Sequence, residues 1–416
     1  MKVGSVVGVA PAHDLGDLLQ YYCAIILLSK YLQDYEISLL LRDIKGCLAF
    51  EKIRIMFSNV KPVEFYPIRA DIIETIAHFL LYSSRIKMLP KTFRLNLFGL
   101  TSAVNDLLEP TIVIDQQQFI AFGGHTFEID NPVYINLYKK LRRQTKVLIT
   151  FPISIDTTFL RLYGLSDILR KRLAEAFKVF DHIFVRGIIT KNILSNVLDE
   201  DKVDIALDSG FYIKDLIPIK MPISNLNGEG SIAIVPRSYT YKGDTINFMI
   251  GILNVIKWLL RAGYKVFLSS MAFKGDKSLI LEITKYLGDL RNSKNLRIVS
   301  FSNFDEAFQF YSSMDLILTG RMHDGIMALS AGRPAIFIFP RFNKVTDILL
   351  TLKLAPSLFL ISPENSPLEL QRKLLQRIEY IRDNYESVTK MIRYGLEKAH
   401  PTIDFPAKKI KSLIED

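Results

Sequence analysis

The residues best suited to chemistry cluster in the stretch 316–344, LILTGRMHDGIMALSAGRPAIFIFPRFNK. Arg321 and His323 stand two apart, where an apolar run at 316–318 gives way through Thr319 and Gly320 to a helical period. Arg341 and Lys344 follow the next apolar run, at 335–339. Three cations and one imidazole therefore fall on adjacent strand ends. A helix start offers free amides and the positive end of the macrodipole, which favour an anion. One Arg or Lys in such a place is usually a solvated charge. Four groups together suit a multiply charged anion, held by guanidinium forks and an ammonium. His323 adds a group able to carry a proton near neutral pH. Arg186, ending a strand expected at 182–186, and Arg237, following one at 231–236, stand at further carboxyl ends.

These residues need a scaffold of strands whose ends lie side by side. The stretch reads as strand, turn, helix and strand, with Gly332 stopping the helix and Pro340 closing the second strand. Short apolar strands around a helix belong to a parallel sheet. The same alternation runs through the chain. Strands are expected at 2–10, 36–44, 111–114, 119–122, 146–153, 182–186 and 204–207. Helices are expected at 18–32, 50–57, 68–83, 132–143, 157–180 and 191–198, with 61–66 extended. Residues 216–230 hold two Pro, two Gly and two Asn without periodicity and read as a linker. Alternation then resumes through helices at 245–262, 277–289, 304–314 and 343–352, with long helices over 366–398. The pattern predicts the α/β class: two Rossmann-like, doubly wound parallel-sheet domains, 1–220 and 221–416, facing a crevice. C-terminal helices could cross back over the first domain.

With 416 residues, 49% hydrophobic and 23% charged, the chain is that of an ordinary globular protein. Its net charge of +10 suits an anionic substrate or loose contact with an anionic membrane surface. No block of five like charges occurs, so nucleic acid is not expected as a partner. Two cysteines, Cys23 and Cys47, are too few for a disulfide framework or a zinc site. The N-terminus reads as a first strand and not as a signal peptide, and no run of eighteen apolar residues exists. The expected location is cytoplasmic, with peripheral association at the inner membrane face left open.

The motif set resembles the polysaccharide pyruvyl transferase family. Its C-terminal signature matches Arg321-x-His323, the small residues through Gly332, Pro334 and Lys344. Asp14, Gly16 and Asp17 resemble the family's N-x-G-D turn, with Asp14 where Asn is usual. Read alone, Gly16 would let a ligand approach the backbone, Asp17 would cap the helix, and neighbouring His13 is a secondary candidate. Gly123, Gly124 and His125 resemble a glycine-rich turn in which a third Gly is common. Arg186 resembles the arginine of a V-R-E motif, with Gly187 for Glu. Asp208-Ser209-Gly210-Phe211 resembles a D-P-A-F turn.

The resemblance implies a bilobed fold similar to the GT-B glycosyltransferases, with the acceptor on the N-terminal side and the donor on the C-terminal side. It implies transfer of pyruvyl from phosphoenolpyruvate to a pair of sugar hydroxyls, forming a ketal in cell-surface polysaccharide, on a free sugar or a lipid-linked glycan. His323 and Arg321 would be catalytic. Arg186, Lys344, Arg237, Asp14, Gly16, Asp17, Gly123, Gly124 and His125 would bind substrate. No cofactor is implied, and no metal-ligand spacing is evident. Two other readings stay open. A nucleotide-sugar glycosyltransferase would want an acidic residue for the ribose near the C-terminal motif, where Asp324 instead enters the helix. A non-catalytic carbohydrate-binding relative would suit the departures at Asp14, His125, Gly187 and Ser209.

Overall fold

The computed structural model describes residues 2–8, 15–42, 62–65, 117–123, 126–127, 133–155, 167–219, 230–237, 245–271, 276–339, 342–362 and 366–416. The helices expected at 50–57 and 68–83, the strand at 111–114 and the centre of the linker lie outside these residues. So do His13, Asp14, Gly124, His125 and Arg341.

The first half supplies strands β1 (Lys2–Gly8), β2 (Tyr35–Arg42), β3 (Pro62–Phe65), β4 (Gln117–Phe122), β5 (Thr126–Phe127), β6 (Thr145–Thr150), β7 (Ser154–Ile155), β8 (Ile183–Val185) and β9 (Val203–Ile205). Five of them form one sheet in the order β3-β2-β1-β4-β6. A parallel bridge from Ile149 to His182 continues it into the β8–β9 pair. Between them run helices α1 (Leu15–Tyr31), α2 (Val133–Arg143), α3 (Asp167–Phe177) and α4 (Ile188–Ser195).

The second half supplies β10 (Ser231–Val235), β11 (Lys265–Ser270), β12 (Leu296–Ser300), β13 (Leu316–Thr319), β14 (Ala335–Ile338) and β15 (Leu360–Ile361). Their order, β12-β11-β10-β13-β14-β15, is that of a Rossmann sheet. The helices are α5 (Thr245–Arg261), α6 (Asp276–Tyr286), α7 (Phe304–Ser312), α8 (Met322–Ser330), α9 (Phe342–Thr351), α10 (Pro367–Asp383), α11 (Tyr385–Ala399) and α12 (Phe405–Glu415).

Every strand pairing among the described residues is parallel. Parallel sheets bury both faces, and the strands show it. Along β4, Phe119 and Ala121 enter one core while Ile120 and Phe122 enter another on the opposite face. β13 and β14 are buried at every position. The first core runs on from this sheet into the second, through Ile232, Leu318 and Ile336. α12 returns to the first sheet, packing on β6, β4 and α1. Among the described residues, no helix is long and apolar enough to cross a membrane.

Three elements differ from expectation. α1 begins at Leu15, three residues early, because Leu15 already continues the apolar spacing of Leu18 and Leu19. Residues 62–65 are a paired edge strand and not merely extended. Beyond the helices expected over 366–398 comes a further one, α12; Pro406 occupies its first turn, where the missing amide costs nothing.

Candidate active site

The second sheet's strand order reverses between β10 and β13, and the Gly320 amide donates to the Val235 carbonyl across that point at 2.8 Å. The chain then turns into α8. The Thr319 hydroxyl accepts from the Arg321 amide at 2.8 Å and donates to the Arg321 carbonyl at 2.7 Å. Arg321 is the N-cap of α8 and keeps extended backbone angles, φ −115° and ψ 130°. At the helix end Gly332 takes φ 72°, as expected. The amides of Gly332 and Arg333 donate back to Leu329 and Ala328, and so close the helix.

The residues flanking His323 are anchored from α6 and α7. Arg321 Nε donates to the Asp276 carboxylate at 2.7 Å. Asp276 is fully buried and also takes the Ser270 hydroxyl at 3.2 Å. On the other side the buried Asp324 takes the hydroxyl of Tyr311. That hydroxyl lies 3.3 Å from the hydroxyl of Ser269. Asp324 is thus committed within the protein.

Arg186 comes from the other half, just past β8, and is 0% exposed. Its Nε donates to Asp208 at 2.6 Å and its Nη1 to Ser154 Oγ at 3.3 Å. Asp208 also accepts from Gln20 Nε2 at 2.6 Å and from the Gly210 amide at 2.9 Å. The turn 209–212 packs against both α1 and α8, bringing this buried pair to the site.

His323 is 5% exposed. Its proton affinity is held well below the ordinary imidazole range. Burial is the largest cause, followed by the charges of Lys344, Arg186, Arg321 and Arg237. Four cations from three strand ends and the start of α9 therefore act on one imidazole. Burial and these cations together disfavour the charged imidazole. Lys344 lies in the first turn of α9 and is partly exposed. The Arg237 guanidinium lies 5.4 Å from the centre of the Phe339 ring, just past β14.

The remaining expected residues fall differently. Gly16 and Asp17 are in the first turn of α1, so the reading of Gly16 as a loop residue and of Asp17 as the cap is corrected by the earlier helix start. Gly123 ends β4. A Cβ there would come within 2.5 Å of the Tyr21 ring and 2.8 Å of the Val7 carbonyl, so its small size serves packing. Asp14, Gly124 and His125 lie outside the described residues. Sequence reasoning noted Asp208 only within a motif and missed Asp276 and Asp347; these three acids hold this region. Among the described residues, no group of three or more His, Cys, Asp or Glu could hold a metal ion.

A family model, polysaccharide pyruvyl transferase, matches residues 14–338. The chain belongs to this family. It is a family of transferases, and the Arg321, His323 and Arg186 positions lie within the matched span. No curated protein matches the chain. Solved structures share the fold. UDP-GlcNAc 2-epimerase from Neisseria meningitidis, bound to UDP-GlcNAc, is 13% identical with a TM-score of 0.54, over 100% of this chain and 99% of that one. The S. aureus MnaA–UDP structure is 10% identical with a TM-score of 0.59, over 94% and 91%. An E. coli trehalose-6-phosphate structure bound with UDP-2-fluoro glucose is 11% identical with a TM-score of 0.53, over 100% and 99%. The fold is GT-B.

Proposed function

We propose that this family member transfers pyruvyl from phosphoenolpyruvate to two hydroxyls of one sugar, giving a cyclic ketal and phosphate. The observation that carries the reading is the convergence of Lys344, Arg186, Arg321 and Arg237 on the buried His323. Phosphoenolpyruvate carries about three negative charges, on a carboxylate and a phosphate ester. Lys344, Arg237 and Arg321 would bind it, with the amides of the first turn of α8 beside them. Arg186, already paired with Asp208, would act chiefly through its field.

The bound anion would raise the proton affinity of His323, which is neutral without it. His323 would then protonate the methylene carbon of the donor. The adjacent carbon becomes oxocarbenium-like, and one sugar hydroxyl adds to it and loses its proton. Phosphate leaves with the C–O bond electrons, and the second hydroxyl adds and loses its proton. One proton ends in the new methyl group and the other on hydrogen phosphate. The acceptor would enter from the first sheet's side, as a free sugar or a lipid-linked glycan, in the cytoplasm or at its membrane face. The chemistry calls for no cofactor.

The test is incubation of the protein with phosphoenolpyruvate and a panel of nucleotide- and lipid-linked sugars, following phosphate and the ketal methyl resonance. Acceptor-dependent phosphate release that is lost in His323→Gln is expected. A nucleotide-sugar transferase is the second reading, since several proteins of this fold are described with UDP or UDP-sugars bound. Turnover of UDP-sugars without phosphoenolpyruvate would replace the first reading by the second.

A further inference from the structure

We propose that Asp347 is a positioning residue: it clasps α9 to the start of α4 and thereby fixes Lys344 relative to Arg186. Lys344, Asp347 and Thr351 follow one another at spacings of three and four residues on α9, so they share one face of that helix. The last two grip the first half of the chain. Thr351 Oγ1 donates to the Arg186 carbonyl at 2.8 Å. Asp347 is fully buried, and its carboxylate accepts from the Ile189 amide at 2.8 Å, the Thr190 amide at 3.2 Å and the Thr190 hydroxyl at 2.6 Å.

Those amides belong to the first turn of α4, which opens immediately after Arg186 and Gly187. α4 has no side-chain cap from its own N-cap residue, Gly187. Its cap comes from Asp347, 158 residues further along the chain from Ile189. A buried carboxylate tolerates this place because three donors and the helix dipole replace water. Burial nonetheless raises its proton affinity, and the hydrogen bonds oppose that rise.

Gly187 makes the approach possible. A Cβ at this position would come within 2.6 Å of the Asp347 carbonyl and within 2.7 Å of its Cβ and Oδ1. The helix carrying one cation is thus seated directly on the strand end carrying another. Lys344 and Arg186 are also the two cations that weigh most on His323, followed by Arg321 and Arg237. Loosening the clasp would let Lys344 withdraw and water enter, and both changes make His323 easier to protonate.

The test uses the full chain. The titration of His323 is followed by imidazole NMR in the wild type and in Asp347→Asn, Gly187→Ala and Thr190→Val. Asp347→Asn weakens the clasp from α9, and Gly187→Ala pushes α9 away from α4. Both should raise the His323 midpoint towards the ordinary imidazole range. Thr190→Val, which removes one of three bonds, should do so less. With phosphoenolpyruvate as the probe, KM should rise about tenfold, the equivalent of ~1.4 kcal/mol of binding, while kcat changes by less than about threefold.

The kinetic consequence rests on the pyruvyl-transfer reading, whereas the His323 titration does not. If the wild type fails to use phosphoenolpyruvate, only that reading falls. If all foldable variants titrate like the wild type and only their melting temperatures drop, Asp347 is a structural cap and the proposal is overturned. Gly187→Ala and Thr190→Val keep the question decidable should Asp347→Asn fail to fold.

Discussion

Across the reversal point of the first sheet, the Gly123 amide donates to the Val7 carbonyl at 2.7 Å; across that of the second, the Gly320 amide donates to Val235 at 2.8 Å. The backbone solves the same problem in the same way in both halves. What differs is the furnishing. Beyond Gly320 come a guanidinium, held by Asp276, and an imidazole whose neighbour Asp324 is tied to Tyr311. At Gly123 the side chain is absent and the Tyr21 ring occupies the space. Among the described residues, the second reversal point gathers charge, whereas at the first an aromatic ring packs where a side chain would be. The proposed transfer from a trianionic donor would draw on the electrostatics of the second point.

The comparison can be broken in four places. The largest effect is expected for Asp208→Ala, which leaves Arg186 charged and buried. Removing one partner of a buried pair costs about 3–5 kcal/mol, read as a loss of stability in denaturant unfolding. A loss under about 1 kcal/mol would mean that the turn relaxes to let water reach Arg186.

His323→Gln should keep the fold and lose about 10²-fold or more in turnover, the lower range for a positioned acid. Near-normal turnover with a proven acceptor would assign the acid to another group.

The paired variants Lys344→Ala and Gly123→Ala set the two reversal points against each other. The first should weaken donor binding by about 1.5–3 kcal/mol with little change in stability. The second should cost about 1–3 kcal/mol of stability through overpacking while donor affinity is unchanged. Equal loss of donor affinity in both would erase the distinction drawn above.

The smallest effect is a matter of protons. Because the folded protein holds His323 below the ordinary imidazole range, it binds fewer protons there than the unfolded chain. Stability linked to His323 is therefore present above that range and lost as pH falls below it. Donor binding should reverse the bias and take up to one proton near neutral pH. Calorimetry in buffers of different ionisation enthalpy would measure the uptake, and it should vanish in His323→Gln.

Much of the second sheet was legible because β10, β13 and β14 are buried on both faces and so are written as unbroken apolar runs. The cations were legible because each follows such a run. The contacts made by the anchoring acids were not. Asp208, Asp276 and Asp347 lie 22, 45 and 158 residues from the groups they hold, and no local period encodes a contact across that distance. Gly187 looked like a departure from a motif. Its meaning depends on a helix that arrives from the other half. The start of α1 was misplaced because Gly16 reads as a turn residue, although a first helical turn tolerates it.

The return of α12 has a consequence for the order in which the chain is made. Ala407 and Ile410 share a core with Phe119, Ala121, Val147 and Ile149, strand residues synthesised long before them. Until α12 is made, that face of the first sheet lacks the cover that α12 adds beside α1. The N-terminal half therefore cannot finish as an independent unit while the rest is translated, contrary to the usual habit of domains. It must wait, partly apolar and exposed, for residues 405–415. A chain stopped after Ala399 should bind an apolar dye and stay soluble only with chaperone, and a compact, dye-silent truncation would show that the first sheet closes without its last helix.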